Sequence, residues 1–332
     1  MRSPGEPTVT APPTFDATSV GETMLRLSAP PGVTLDYARS LSPHVGGAES
    51  NVLGALAALG RATAWHSRLP DNPLGRHVVR ELRGAGVDTS GVTFDRAGGR
   101  LGLYFFEPPN GPKPGSVVYD RSGSSFSASD PGSLEWDSLL DTRVLHLTGI
   151  TPALGPGCRR LTLEAIARAK EAGVRTSFDV NYRRLLWTPG EARSVLAPLL
   201  TQVDLLICGL SDAREVLGLE GTPAEVLERL ADSRDGQDVV LTCGQSGALA
   251  WAGGELLSTP AHQVDVVDQV GAGDAFAAGL IDGWLDGSLA EGLRRGAMLA
   301  AVKLGRWGDM VVLTREELDS LLADEPERRV KR

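Results

Sequence analysis

The chain is poor in the residues that build disulfide frameworks, metal centres and membrane spans. Only three cysteines and five histidines occur among its 332 residues. Cys158, Cys208 and Cys243 are widely separated and form no CxxC pair, which disfavours disulfides and zinc and is typical of a reducing cytoplasm. No apolar run approaches the roughly 20 residues of a membrane helix, and the first residues contain no signal-peptide core. We therefore expect a soluble, cytoplasmic protein.

Two common nucleotide-binding motifs are also missing. The chain has no GxxxxGK[ST] segment, which excludes a P-loop enzyme, and no GxGxxG follows the first predicted strand, which disfavours a dinucleotide fold. A formal net charge of -9 and a pI near 5.2 disfavour nucleic acid as a partner. Small anionic ligands remain possible, because their binding depends on the local geometry of a site and not on the net charge of the chain.

Strand-like and helix-like segments alternate through most of the chain. This alternation predicts a parallel sheet with helices on both faces, with ligands beyond the carboxyl ends of the strands. Two β-type runs, LGLYFFE and SVVYDR, flank a Pro-Gly-rich loop and predict a small antiparallel flap. We predict a flexible tail over 1–15, one domain over 16–324 with a lid from about 22–45 and 98–121, and a charged tail over 325–332.

The most informative stretch runs from Val264 to Trp284. Alternation over 264–268 predicts a strand, the Gly-Ala-Gly-Asp segment 271–274 predicts a turn, and the small apolar residues after it predict a buried helix. A glycine turn at a helix N-terminus suits an anion, and Asp274 beside it could take a proton from an attacking hydroxyl. The alternative is an ordinary turn with an aspartate favoured by the helix dipole.

A second glycine turn, Val45 to Asn51, opens an apolar helix that ends at Gly60. Asn51 is either the cap of this helix or a hydrogen-bonding group for a polar ligand.

These two turns carry a family resemblance. VDQVGAGDAFAAG closely resembles the D-x-x-GAGD-x-F hallmark of the ribokinase-like (PfkB-type) carbohydrate kinases, and HVGGAESNVLGALAALG resembles their GG-x-x-x-N turn. GLYFFE, VVYDR, HLTGITPAL, SFDVNYRRLLW and GDM resemble the 2-keto-3-deoxygluconate kinases within that family. The likeness covers about residues 20–322. It implies a ribokinase-like three-layer α/β/α body with a small β lid, and phosphoryl transfer from ATP with Mg²⁺.

The resemblance also implies roles for single residues. Asp274 would be the general base, and the amides of Gly271, Ala272 and Gly273 an anion hole. Substrate-binding residues would be Gly47, Asn51, Tyr104, Tyr119, Arg121, Arg183 and Asp309. Cofactor-binding residues would be Asn181, Thr242, Gly244, Gly247, Gly271 and Gly273. Arg121 or Arg183 could pair with a substrate carboxylate; packing for the tyrosines and solvation for the arginines are the alternatives.

One departure from the family pattern concerns the metal. Gly209 and Asp212 stand where the family often has Asn or Ser followed by Glu. The metal ligands are therefore left unassigned, and the need for a monovalent cation stays open.

The predicted reaction is phosphorylation of 2-keto-3-deoxygluconate to its 6-phosphate. The alternatives are a fructokinase or another ketose or nucleoside kinase of the same fold, and a non-catalytic nucleotide or sugar sensor. Leu103, Phe105 and Phe106 make the flap apolar, which predicts a homodimer or higher oligomer that pairs through the lid.

Overall fold

The computed structural model describes residues 12–232 and 236–323. Within these ranges nine strands form one large sheet, in the order β13-β12-β11-β10-β9-β8-β1-β4-β5. Its strands are β1 Phe15–Val20, β4 Thr63–Pro70, β5 Val92–Asp95, β8 Thr142–Thr148, β9 Arg175–Asp179, β10 Leu205–Gly209, β11 Asp238–Thr242, β12 Ala248–Ala252 and β13 Glu255–Thr259. All neighbours pair in parallel except β12, which is antiparallel to β11 and to β13.

A second sheet of four strands lies apart from the first, in the order β3-β2-β6-β7, within the described residues. We call it the lid sheet; its strands are β2 Met24–Ser28, β3 Ser42–Gly46, β6 Leu103–Glu107 and β7 Ser116–Asp120. The flap prediction is wrong in one respect. The two hairpins are antiparallel, but they join through the parallel pair β2–β6, so the lid sheet is mixed.

Helices cover both faces of the large sheet. They are α1 Ala48–Ala58, α2 Pro73–Gly84, α3 Trp136–Leu140, α4 Ile150–Ala153, α5 Pro156–Ala172, α6 Pro189–Leu200, α7 Leu210–Glu215, α8 Pro223–Asp232, α9 Ala272–Leu285, α10 Leu289–Leu304 and α11 Arg315–Ala323. One apolar core takes side chains from α1, α2, α9, α10 and α11, and the other from α5, α6, α7 and α8. This confirms the predicted three-layer α/β/α body with a smaller sheet. No helix of the described chain has the length and apolarity to cross a membrane.

Helix α9 is buried along most of its length, from Asp274 to Leu285. It packs closely on α10, because a Cβ on Gly279 or Gly283 would collide with the backbone of α10 at 291–296. This tight contact fixes the direction of α9 and so the position of its first turn.

Two boundary predictions change. The tail predicted over 1–15 ends earlier, since Phe15 already begins β1; residues 1–11 and the predicted charged tail 325–332 lie outside the described residues. The strand predicted over 264–268 does not form. Val264 and Val266 are 39% and 58% exposed, and the amides of Val267 and Asp268 bond to the carbonyl of Leu304 at the end of α10. The edge of the sheet is β13 instead.

Two buried histidines on central strands make stability sensitive to acid. His66 on β4 and His146 on β8 are fully buried, and burial lowers their pKa to about 4 and about 3. Unfolding raises each pKa toward 6.5, so the unfolded chain binds more protons and stability falls as pH drops below 6.5. At pH 4.5 each histidine is expected to cost roughly 2.5 kcal/mol relative to pH 7.

The test is urea unfolding at pH 7 and 4.5 of wild type and of His66→Phe, a substitution that removes the titration. The variant should lose about 2.5 kcal/mol less than wild type between the two pH values. Buried carboxylates titrate in both proteins, so their contribution to the change in unfolding free energy cancels when the two proteins are compared. His77→Gln, on the partly exposed face of α2, is the control. An equal pH loss in wild type and His66→Phe would contradict the prediction.

Candidate active site

Two cavities meet at the N-terminus of α9. The first, here the lid cavity, has a volume of about 430 Å³ and is lined by the lid sheet and by strand ends of the body. The second, here the helix cavity, has a volume of about 390 Å³ and lies against α9 and α10. Thr242, Gln269 and Gly273 line both cavities. A ligand in one would therefore end next to a ligand in the other.

The turn between the cavities depends on Gly271. Its φ is +84°, a left-handed conformation that a side chain strains, and a Cβ there would collide with the carbonyl of Asp309. Gly271 is the N-cap of α9, so the amides of the next residues begin the helix without intrahelical partners. The amide of Ala272 donates over 3.4 Å to the carbonyl of Gln269, which precedes the helix. The amides of this first turn and the helix dipole together make a positive end that suits a phosphate.

Asp274 lies in the first turn of α9, and it is not a capping residue. The cap shows no side-chain hydrogen bond; instead Nδ2 of Asn51 donates to Oδ2 of Asp274 over 2.7 Å. Burial raises the pKa of Asp274 to about 6, although the bond from Asn51 and the charge of Arg183 act against the rise. A carboxylate with this pKa in a cavity is suited to accept a proton near neutral pH.

Asn51 is not a cap either, since it lies inside α1 and Gly47 precedes the helix. Its amide thus joins the two glycine turns of the sequence, one from each half of the chain. Neither Asn51 nor Asp274 is thus the N-cap of its helix, although Oδ1 of Asn51 also accepts the amide of Gly47 over 3.4 Å.

Two more carboxylates, Asp179 and Asp212, face the lid cavity. Burial and the charges of Asp212 and Asp274 raise the pKa of Asp179 to about 8. Burial also raises the pKa of Asp212, whose Oδ2 accepts the amide of Tyr182 over 3.1 Å. Carboxylates that repel one another in a buried wall attract a cation.

Asn181 follows β9 in a strained conformation. Its φ of +39° is the only positive value at a non-glycine in the described chain. Its amide donates to Oδ1 of Asp179 over 3.1 Å. This turn brings both residues to the lid cavity, and such strain is typical of functional sites.

On the lid side of the lid cavity, the polar side chains already form hydrogen bonds with other protein side chains. The hydroxyl of Tyr104 donates to Oδ2 of Asp309, and the ring of Tyr119 lies 5.8 Å from that of Tyr104. Nε and Nη2 of Arg121 donate to Oε2 of Glu22, and both residues are buried. Arg121 is therefore neither solvated nor unpaired, so the solvation alternative is wrong for it.

The structure brings every predicted site residue to one of the two cavities. Those that line the lid cavity are Gly47, Asn51, Tyr104, Tyr119, Arg121, Asn181, Arg183, Thr242, Gly271, Gly273, Asp274 and Asp309. Those that line the helix cavity are Thr242, Gly244, Gly247, Ala272 and Gly273. The predicted sugar residues thus share one cavity, while Asn181 and Gly271 are the two predicted nucleotide residues that line the lid cavity only.

A model of the pfkB family of carbohydrate kinases matches residues 15–314, nearly all of the described chain. The chain belongs to this family. As a pfkB carbohydrate kinase it is similar to 2-dehydro-3-deoxygalactonokinase of Haloferax volcanii, with 40% identity over 93% of this chain and 97% of that protein. It is 34% identical to 2-dehydro-3-deoxygluconokinase of Bacillus subtilis, over 93% and 96% of the two chains. The solved 2-dehydro-3-deoxygluconokinase of Thermotoga maritima superposes with a TM-score of 0.88, at 33% identity over 93% and 98%.

Sequence reasoning missed one carboxylate of this kinase, Glu22, and gave no role to a second, Asp179. Glu22, in the loop between β1 and β2, accepts from Arg121 and from the hydroxyl of Ser124, about 100 residues away in sequence. No local pattern marks such a partner. Asp179 had a usable signal, because it is the last residue of a parallel strand, where ligands of α/β sheets bind.

The raised pKa of Asp274 predicts the acid limb of the pH–rate profile of the kinase. Its carboxylate must be ionised to accept a proton, so activity should fall as pH drops below about 6, with a limiting slope of one. The measurement is kcat/KM for the sugar between pH 5 and 8. Asn51→Ala should move the limb to higher pH, since the bond from Asn51 lowers this pKa. An acid limb below pH 4.5 in wild type would contradict the assignment.

Proposed function

We propose that this carbohydrate kinase transfers the γ-phosphoryl group of ATP to the 6-hydroxyl of a 2-keto-3-deoxy sugar acid, 2-dehydro-3-deoxygluconate or its galactonate epimer. The observation that carries the proposal is the position of Asp274, beside the glycine turn at the N-terminus of α9, where the two cavities meet. The relatives named for these two sugar acids support the substrate class.

In the proposed reaction each of the two cavities binds one substrate. The sugar acid occupies the lid cavity with its hydroxyl toward Asp274, which takes the proton. ATP occupies the helix cavity, whose apolar members include Phe276 and Leu304, with its phosphates toward the turn. The amides of 271–273 stabilise the charge on the transferred group, since positioning and electrostatics carry most of phosphoryl transfer.

Asp179 and Asp212 fit a magnesium ion. They line the lid cavity near the turn. Burial raises the pKa of both carboxyls, and the charge of Asp212 raises that of Asp179 further. A divalent cation would offset both costs. No cluster of three or more acidic, histidine or cysteine ligands exists in the described residues, which suits Mg²⁺, since it usually takes one or two carboxylates and completes its shell with water and phosphate. When bound, the metal supplies positive charge to the phosphate oxygens.

Arg183 is the better candidate for the substrate carboxylate. Its Nη1 donates to the carbonyl of Tyr182 over 3.3 Å, and no carboxylate of the described residues forms an ion pair with it. Arg121, the other predicted partner, already donates two hydrogen bonds to Glu22. An exposed, unpaired guanidinium at the cavity rim can still form a charge-assisted pair with an incoming acid.

A substrate panel with coupled ADP detection tests the proposal. The panel contains both 2-keto-3-deoxy sugar acids, gluconate, fructose and a nucleoside. Turnover of a keto-deoxy acid with kcat/KM at least 100-fold above fructose supports it. Turnover of fructose without the acids would establish the ketose alternative, and a wild-type protein that turns over nothing would favour a sensor.

The two arginines predict different variant kinetics. Arg183→Met should raise KM for the sugar acid about 10- to 100-fold, because a hydrogen bond to a charged group contributes about 1.5–3 kcal/mol. KM for ATP should change little. Arg121→Met leaves Glu22 buried without its cation, so it should lower the melting temperature as well. A larger effect of Arg121→Met on KM, with an unchanged melting temperature, would reverse the assignment.

The predicted oligomer and location stay predictions. Val118 on β7 is 54% exposed and lies on an edge strand of the lid sheet, which supports pairing of two lids. A monomeric mass by light scattering would overturn the dimer. None of the three cysteines, all within the described residues, forms a disulfide, which suits a reducing cytoplasm.

A further inference from the structure

Four charged side chains are buried next to the 271–274 turn. Asp309 lines the lid cavity, and the other three line neither cavity. Arg26 and Lys303 are both 0% exposed, and Asp268 and Asp309 are 1% and 4% exposed. Burying two cations is costly unless each is fully paired. The atoms that pair with them therefore indicate what the cations hold in place.

Arg26 connects the lid sheet to both sides of the turn. Its Nη2 lies 2.7 Å from Oδ2 of Asp268, and Nη1 donates to Oδ1 of Asp309 over 2.8 Å. Its Nε donates to Ser28 over 2.7 Å, and its Cζ lies 4.1 Å from the ring centre of Phe106. Nε and Nη1 thus donate hydrogen bonds, while Nη2 forms an ion pair with Asp268 without hydrogen-bond geometry, so three contacts restrain this guanidinium.

Lys303 binds main chain instead of carboxylates. From α10, its ammonium donates to the carbonyls of Asp268 over 3.0 Å and Arg306 over 3.2 Å. These two carbonyls belong to the two segments that enclose Gly271, namely 268–271 and 306–309. The ammonium therefore links both segments at a single point.

Asp268 links the 306–309 segment to the residues just before Gly271. Its Oδ1 accepts the amide of Val270 over 3.0 Å, and its Oδ2 accepts that of Gly308 over 3.3 Å. Gly271 follows one residue later and lies against the carbonyl of Asp309. The amides that face the transferred phosphate thus stand on a segment fixed by two buried cations.

We propose that Arg26 and Lys303 are positioning residues for phosphoryl transfer, which hold the 268–271 and 306–309 segments so that the turn amides point at the phosphate. The inference depends on the proposed role of the 271–274 turn. Neither side chain lines a cavity, so neither binds the sugar or the nucleotide. Amides misplaced by about 1 Å lower the rate and leave ground-state binding largely intact, because they act on charge in the transition state.

The test compares Lys303→Met, Arg26→Met and Arg26→Lys with a matched control. Arg61→Met is that control: Arg61 donates to Asp282 over 2.7 Å and to Asp286 over 2.6 Å, at the other end of α9. It removes ion pairs of the same helix, far from the turn. Lys303→Met keeps an unbranched side chain, one atom shorter, and removes the ammonium with its charge and its two hydrogen bonds.

We expect kcat to fall 30- to 100-fold in Lys303→Met and Arg26→Met, with KM for sugar and ATP within threefold, and less in Arg26→Lys. Affinity for ADP should stay within threefold. Affinity for ADP with aluminium fluoride, Mg²⁺ and the sugar acid, a mimic of the transferred phosphate, should fall with kcat. Arg61→Met should lose melting temperature but keep kcat within twofold.

A merely structural role would give a different result. Lys303→Met would then lose melting temperature as Arg61→Met does and keep its kcat, or kcat and ADP affinity would fall together; either outcome overturns the inference. If the methionine variants fail to fold, Arg26→Lys decides, since an unchanged kcat in that variant overturns the inference too. Full activity of Asp274→Asn would instead refute the proposed site, so the two failures are distinguishable.

Discussion

Replacing Asp274 with asparagine is expected to lower kcat about 10³- to 10⁴-fold, at the upper end of what a general base contributes. The amide has the shape of the carboxylate and its oxygen can still accept from Asn51, so the local packing should stay intact. Because burial disfavours the charged carboxylate, its removal should not destabilise the fold. The measurements are kcat by ADP formation and the melting temperature with and without ADP.

Asp286→Asn is the matched control for this variant. Asp286 is the C-cap of the same helix and is paired with Arg61 and Arg295, away from both cavities. Its substitution should change kcat less than twofold. If Asp274→Asn kept a tenth of wild-type activity, another group would be the base, and Asp179 would be the next candidate.

Replacing Gly271 with alanine is expected to lower kcat by at least about 100-fold, similar to the loss of one oxyanion-hole donor. The new Cβ would collide with the carbonyl of Asp309, and the φ of +84° disfavours any side chain. The turn must therefore move, and the amides move with it. Steady-state kinetics check the loss, and ADP binding checks that the helix cavity is intact.

Gly287→Ala is the control that separates the effect of backbone strain from the loss of the turn at Gly271. Gly287 lies just after the C-cap of α9 with the same φ of +84°, but a Cβ there meets no atom within 4 Å. It should lose about 1 kcal/mol of stability and keep its activity, as expected for strain alone. Equal activity losses in the two variants would mean that unfolding, and not the turn, explains Gly271→Ala.

The fold was predictable because its signals are local. Helix α6, for example, begins with a capping box of Thr188 and Glu191, a signal that lies within four consecutive residues. The strand predicted over 264–268 was wrong for the opposite reason. Alternation of apolar and polar residues favours a strand, but a strand also needs a neighbour to pair with, and this segment bonds to the end of α10 instead.

The site was predictable only where a turn marks it. Gly271 and Gly47 stand in glycine turns that the sequence displays, and the residues around them reach the cavities. The pairing of Arg121 with Glu22 was not visible, because the two residues are 99 positions apart and meet only through the lid sheet. The same holds for Arg26 and Asp309, which are 283 positions apart.

The two adjoining cavities determine the course of the proposed reaction at phosphorus. Since the cavities are separate and meet at one turn, donor and acceptor can be bound at the same time. The phosphoryl group then passes directly between them in one displacement, and the configuration at phosphorus inverts. No phosphorylated enzyme is needed, so initial-rate lines for the two substrates should intersect and not run parallel.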